Sequence, residues 1–402
     1  VRGKMKKKLI LSSILILIFL FTVSYGVTTS FAFKDLLYDP RAMGVAGAMT
    51  ALADSPTSAI YNPALMGEYS RLTLKTGFGL APISNVQSFI DLYNMLNSGT
   101  EPPNGDFNKY LSFAGYLHLG ISKLGITLFG DGDIDVNFHK YTSNDSSQDL
   151  IADVNITATA TPNLNGALTI AIPAIDLLGL KLNLGTNVRL NNTRNYSYNE
   201  SVYVTQSGVV VAESSGEPND NDIRKKEYYS TDEKYISIDL GAYMRFSPFV
   251  AVGIFAKDAY SIPLEGKEIY GYGDGYYDSN GNYHEYTPYS ETSNPIEVTL
   301  PTMSLKAGAF IKVPVLSTRI AVGADLDNNL SPTMYRIGVE QPVLMVAVLR
   351  GGAILDTQFN PQLYTAGFGI NLLLLQADLG VAFDPQDLTR PQALSISGSF
   401  KF

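Results

Sequence analysis

From Leu72 to the end, the chain alternates apolar and polar residues with a period of two, and few folds tolerate that pattern over so long a span. Leu180, Leu182, Leu184, Val188 and Leu190 alternate with Lys181, Asn183, Gly185, Asn187 and Arg189. Ile236, Ile238, Leu240, Ala242, Met244 and Phe246 alternate in the same way with Ser237, Asp239, Gly241, Tyr243 and Arg245. Each run is a strand with two unlike faces. In a water-soluble sandwich the apolar face would meet a core, whereas in an outer-membrane barrel it would meet lipid and the polar face would line the lumen. Alternation alone does not separate these two.

Three other features favour the barrel. The chain ends on Leu394 to Phe402, with Leu394, Ile396, Phe400 and Phe402 on one face and Ser395, Ser397, Ser399 and Lys401 on the other. A flat apolar edge of this kind is an aggregation hazard that closure into a ring removes. An amphipathic strand closed by a terminal aromatic also resembles the signal by which bacterial barrels are recognised for assembly, which makes Phe400 and Phe402 candidate contacts for the assembly machinery. The connections alternate in length as well. Those at 81–109, 140–149, 204–227 and 261–295 are long, whereas Ser122-Lys123, Ser247-Pro248, Val313-Pro314-Val315 and Gln341-Pro342 read as tight turns. Bacterial barrels place short turns in the periplasm and longer loops outside, with an even strand count. The expected architecture is therefore an all-β, antiparallel, up-and-down transmembrane barrel of about 14 strands. Pro162, inside a candidate strand at 150–172, marks either a kink or an extra turn.

The beginning of the chain fits export. Lys4, Lys6, Lys7 and Lys8 precede an apolar run from Leu9 to Val23, and Ser30-Phe31-Ala32 offers a small-x-small cleavage site, so residues 1–32 read as a signal peptide. The chain has no cysteine, which excludes disulfides and thiolate metal sites. Charged residues make up only 17% of the chain and aromatic residues 11%, a balance that suits a lipid-facing wall. The net charge of −9 argues against nucleic acid as a partner.

Between the leader and the first strand lies Tyr38 to Tyr69, rich in glycine and alanine and too small in bulk to form a core alone. Its blocks Arg41-Ala42-Met43-Gly44, Ala51-Leu52-Ala53-Asp54-Ser55 and Tyr61-Asn62-Pro63-Ala64 resemble the N-terminal signature of the FadL-like long-chain fatty-acid transporters and of the related PorV-type and TraF-like barrels. The resemblance implies that residues 33–69 fold back into the barrel, formed by residues 70–402, as a plug or hatch. Arg41, Gly44, Gly47 and Asp54 would then belong to the plug, and Asn62, Pro63 and Ala64 would form its seat. Pro63 fixes its own φ and biases Asn62 toward extended backbone, which suits a sharp exit from the plug.

Inside such a wall, Asp239, Arg245, Arg336 and Asp378 are candidate lumen-lining residues, part of a mixed set of charges that must be hydrated or paired. Ser84 to Leu96 carries apolar residues at helical spacing after a candidate Ser84 cap. The loop at 261–295 is crowded with tyrosines around Asn280-Gly281, a hairpin turn signal that suits an interfacial belt or a self-packed cap. Catalysis has little support: His139 shares a polar face with Asp133 and Asp135, but no nucleophile motif accompanies it. Asp278 to Asn282 resembles half a calcium loop without its bidentate glutamate. No cofactor or metal is expected. The functional expectation is a barrel in the bacterial outer membrane, in contact with its lipid, that binds or passes small hydrophobic molecules. The alternative is a non-transporting barrel serving as a secretion partner or structural envelope protein.

Overall fold

The computed structural model describes residues 33–52, 58–69, 72–98, 104–142, 150–177, 179–205, 223–277, 283–343 and 346–402. The expected leader, Asp54 and the Asn280-Gly281 turn lie outside these residues.

Antiparallel pairing runs without interruption from β1 (Leu72–Ala81) through β2 (Gly105–Ile121) and β3 (Leu124–Thr142), and returns to β1 through the last strand, β16 (Asp387–Lys401). Closure on the other side of the sequence joins β8 (Val250–Tyr277) to β10 (Ser304–Lys312). Sixteen strands make a ring of about fourteen staves. The difference has two sources. β4 (Leu150–Ala160) and β5 (Asn163–Leu177) both pair with β3 and β6 (Leu180–Thr205), so they are two halves of one stave, interrupted at Thr161-Pro162. Proline cannot donate to a ladder, but the neighbouring amides bridge the gap: Thr161 N–H donates to Asp133 O and Arg194 N–H to Pro162 O. Of the two sequence readings of Pro162, the interruption within one stave is the correct one. The second source is β9 (Tyr283–Pro295), which pairs only with β8 among the described strands and stands outside the ring.

Three local expectations are corrected. The span 261–295 is a β-ribbon rather than a loop, because β8 continues past the ring to Tyr277, paired with β7 (Ile223–Ser247) on one side and β9 on the other. The Gln341-Pro342 turn moves onward: Pro342 lies within β12 (Pro332–Val343) opposite Val348 of β13 (Ala347–Leu355). The helix spans Ile83–Ser98, so Ser84 lies in its first turn instead of capping it. That helix packs on β1, β2 and β16, where Asn85 Nδ2 donates to Tyr110 O at 2.8 Å and Phe89 meets Phe107 edge-on.

The direction of the alternating faces decides between sandwich and barrel. Leu184, Val188, Leu190 and Leu240 are exposed, whereas Asn183, Asn187, Arg189, Ser237 and Asp239 between them are buried. The apolar set points outward all round the ring, as in a wall that faces lipid. On the last strand Ile396, Phe400 and Phe402 face outward, and Phe402 N–H donates to Leu72 O at 2.9 Å, tying the end of the chain to the first stave.

The buried hydrophobic residues are concentrated inside the ring, and about half of them belong to the N-terminal segment: Leu36, Leu37, Met43, Val45, Met49, Leu52, Leu65 and Met66 are all almost wholly buried. The segment has short helices at Lys34–Tyr38, Pro40–Gly44 and Ser58–Tyr61 and a 3-10 helix at Pro63–Glu68. Asp39 caps the second helix by accepting from Arg41 N–H at 2.9 Å. Ala46 and Gly47, both at positive φ, turn the chain after it.

Candidate functional site

Each charged residue of the N-terminal segment, among those described, pairs with a stave. Lys34 bonds Asp133 on β3, and Asp35 meets Lys306 on β10 and Arg336 on β12, both at 3.1 Å. Asp39 pairs with Lys75 on β1 at 2.9 Å, with neither side chain more than 1% exposed. Arg41 forms two bonds to Glu340 on β12, and Glu68 pairs with Arg245 on β7. The five anchors therefore reach five different staves. A buried ion that lost its partner would remain desolvated and uncompensated, so these pairs specify position strongly even where their net contribution to stability is small.

Burial opposes ionisation of Asp35, but Arg336 and then Lys306 outweigh it, and together they hold its carboxyl well below the usual carboxylate range. Burial, reinforced by Asp131, pushes the Tyr38 phenol up, so Tyr38 stays neutral and donates its hydroxyl hydrogen to Asp131.

Shape complements charge. Gly185 pairs with Gly241, Gly253 with Gly308, Gly338 with Gly352, and Gly367 with Gly380, so glycines from neighbouring staves come side by side. The inserted backbone lies against them. A Cβ on Gly338 would sit 2.5 Å from Val45 Cβ and one on Gly380 2.6 Å from Pro40 O, distances that no side-chain carbon occupies.

The tetrapeptide that ends in Ala64 is tied both to the segment and to the wall. Asn62 is extended, with φ −168°, and wholly buried. Its Nδ2 donates to Thr50 O at 2.8 Å and to Ala242 O at 3.1 Å, while its Oδ1 accepts from Ala64 N–H at 3.1 Å and so caps the 3-10 helix. Pro63 and Ala64 lie against Gly241 and Gly185. Gly44 abuts Gly367 and Arg350, and Gly47 abuts Arg336.

The four lumen-lining residues named from the sequence divide into two pairs. Arg336 and Arg245 touch the segment directly, the first through Asp35 and Ala46 O and the second through Glu68. Asp239 and Asp378 lie one step back. Asp239 receives two bonds from Arg189, and Asp378 receives Arg350, which in turn reaches Glu340. Sequence reasoning missed Glu340 as the hub of Arg41, Arg350 and Arg319, and it missed Lys75 altogether. The signal for Lys75 was its place on the polar face of β1, where a charge pointing away from lipid requires a partner. His139 pairs with Asp106 at 2.5 Å in an exposed position, whereas His118 is buried against Thr127.

Two cavities flank the segment. One, of about 450 Å³, opens at the tight-turn end between Arg41, Glu68, Arg319, Glu340, Arg350 and Lys401. The other, of about 280 Å³, lies toward the long-loop end. Its apolar lining is Tyr38, Ile60, Tyr61, Phe129, Ala167 and Phe255. The lining also carries the amides of Asn163, Asn165, Asn187 and Asn191 beside the Arg189, Asp239 and Asp258 cluster.

No protein-family model and no curated protein sequence matches the chain. Solved structures do match it in fold. The toluene transporter TbuX of Ralstonia pickettii superposes with a TM-score of 0.53 at 9% identity, covering 92% of this chain and 99% of that one. The CymD monoaromatic hydrocarbon channel gives 0.51 at 11% identity over the same shares, and the toluene transporter TodX of P. putida gives 0.51 at 9% over 90% and 96%. The chain has the barrel fold of these proteins.

Proposed function

We propose that this chain is a bacterial outer-membrane barrel that binds small hydrophobic molecules and passes them across the membrane, with residues 33–69 as its plug. The observation that carries this reading is the 280 Å³ cavity, which lies between the inserted segment and the wall and is lined in part by Phe129, Phe255 and Tyr38. A concave site with aromatic lining and a few polar groups is the usual form of a small-molecule site. A ligand there would touch both the wall and the segment, so its binding could bias the segment's position. The fold shared with a toluene transporter and a monoaromatic hydrocarbon channel supports the same reading. In this orientation the tight turns face the periplasm, the tyrosine-rich ribbon stands outside, and Phe400 and Phe402 serve assembly.

The test pairs conductance with binding. Intact protein in planar bilayers should conduct ions poorly, and deletion of residues 41–53 should raise conductance markedly. Purified protein should also bind members of a panel of small aromatics and fatty acids. No binding across the panel, together with low conductance after the deletion, would return the chain to the non-transporting alternative.

A further inference from the structure

Resting on that reading, we infer that the cavity selects a small, neutral, ring-shaped molecule bearing a hydroxyl or carbonyl group, its ring on Phe129 and its polar group on Asn165. The register places Phe129 of β3 opposite Asn165 of β5, Asn165 opposite Asn191 of β6, and Asn191 opposite Tyr235 of β7. Directly opposed residues on one face lie within about 5.5 Å at Cβ, so a ring, two amides and a phenol form one inward row.

Within that row the two amides differ. Asn191 is satisfied: its Nδ2 donates to Ser237 Oγ at 3.0 Å, and its Oδ1 accepts from Arg189 at 3.2 Å. Asn187 is satisfied as well, by Ala59 O, Asp239 and Thr169. Asn165 is only 6% exposed, yet its side-chain amide has no hydrogen-bond partner among the described residues, and it lines the cavity. Its amide atoms open onto the cavity, so a ligand that displaces solvent from them without replacing the hydrogen bond loses affinity. The amide both donates and accepts, so it suits a hydroxyl or carbonyl and gains nothing from a hydrocarbon.

Charge disfavours a carboxylate ligand. Arg189, Lys257 and Lys306 line the cavity with Asp35, Asp131, Asp239 and Asp258. Arg189 is already taken by Asp239 and Asp258, and Lys306 by Asp35, which leaves Lys257 as the lining cation with no ion pair among the described residues, its charge directed in part at Asp35. A carboxylate ligand would add a fifth negative charge to a lining that carries four against three cations. Volume points the same way, since about 280 Å³ is at the small end of ligand sites and suits one ring better than a long chain.

Three probes that share a methyl-substituted ring separate the classes: toluene, 4-methylphenol and 4-methylbenzoate, titrated into full-length protein in detergent. 4-Methylphenol should bind about tenfold more tightly than toluene, the size of one completed hydrogen bond. 4-Methylbenzoate should bind more weakly than 4-methylphenol. In Asn165→Leu the phenol advantage should vanish while toluene binding is kept, which also shows that the variant is folded. Toluene binding as well as 4-methylphenol in the unsubstituted protein would overturn the inference while leaving the hydrophobic-ligand reading intact. So would 4-methylbenzoate binding best, or a phenol advantage that survives Asn165→Leu. Failure of all three probes to bind would overturn the inference, and the hydrophobic-ligand reading would fall with it only if the fatty acids of the wider panel also failed to bind and conductance stayed low after the deletion.

Discussion

Arg41 of the inserted segment holds Glu340 of β12 through two hydrogen bonds of 2.7 and 2.8 Å, and neither side chain is more than 4% exposed. The pair is unequal in what it leaves behind. Without Arg41, Glu340 still has Arg350 at 2.8 Å and Arg319 at 3.5 Å, whereas without Glu340 three guanidinium groups lose their shared carboxylate. Glu340→Ala should therefore destabilise the barrel by about 3–5 kcal/mol. Arg41→Ala should cost the wall much less and mainly raise ion conductance. Thermal unfolding of the purified barrel and planar-bilayer recordings measure the two effects, and equal loss of stability in both variants would contradict this account.

Gly338 and Gly351 make a matched pair for testing close approach. A Cβ on Gly338 meets Val45 at 2.5 Å, whereas one on Gly351 meets nothing nearer than Thr365 O at 4.0 Å. Gly338→Val should displace the segment and open the lumen to ions, while Gly351→Val should behave like the parent protein. The readouts are single-channel conductance and protease sensitivity of the segment.

The Asp35 anchor should be insensitive to mild acid. Its carboxyl is held well below the usual range in the folded protein, so its contribution is complete above about pH 3.9, the value of an unfolded aspartate, and is lost only as pH falls further. Closure measured by conductance should therefore hold from neutral pH to about pH 4. Asp35→Asn should loosen the segment throughout that range by removing the charge that Lys306 and Arg336 share. Opening of the parent protein near pH 6 would point to another titrating group.

Topology has its own test. Protease added to intact cells should cut near the Asn280-Gly281 tip before it cuts at Ser247-Pro248. Deleting Phe402, whose N–H bonds Leu72 O at the seam of the ring, should reduce the heat-modifiable, assembled band more than truncating that tip. Cleavage first at Ser247-Pro248 would invert the proposed orientation.

What the sequence determined alone is the wall. A period of two is a property of neighbouring residues, so strands, their two faces and the alternation of long and tight connections could be read directly, and with them a ring of about 14 staves. Where local signals competed, local reading failed. The span 261–295 looked like a loop because its tyrosines and glycines suit turns, yet pairing with the extended β7 made it a ribbon. Pro342 looked like a turn, yet its neighbours keep the ladder with β13.

The interior was decided by tertiary structure. Which carboxylate receives Arg41, or which ammonium receives Asp39, depends on side chains 299 and 36 residues away, brought together only when the ring closes. The same closure left the amide of Asn165 without a partner among the described residues while satisfying Asn187 and Asn191 on the next strand. Alternation says that a residue points inward. Which inward residues meet, and which face empty space, is set by the register of each stave and by the shape of the segment inside.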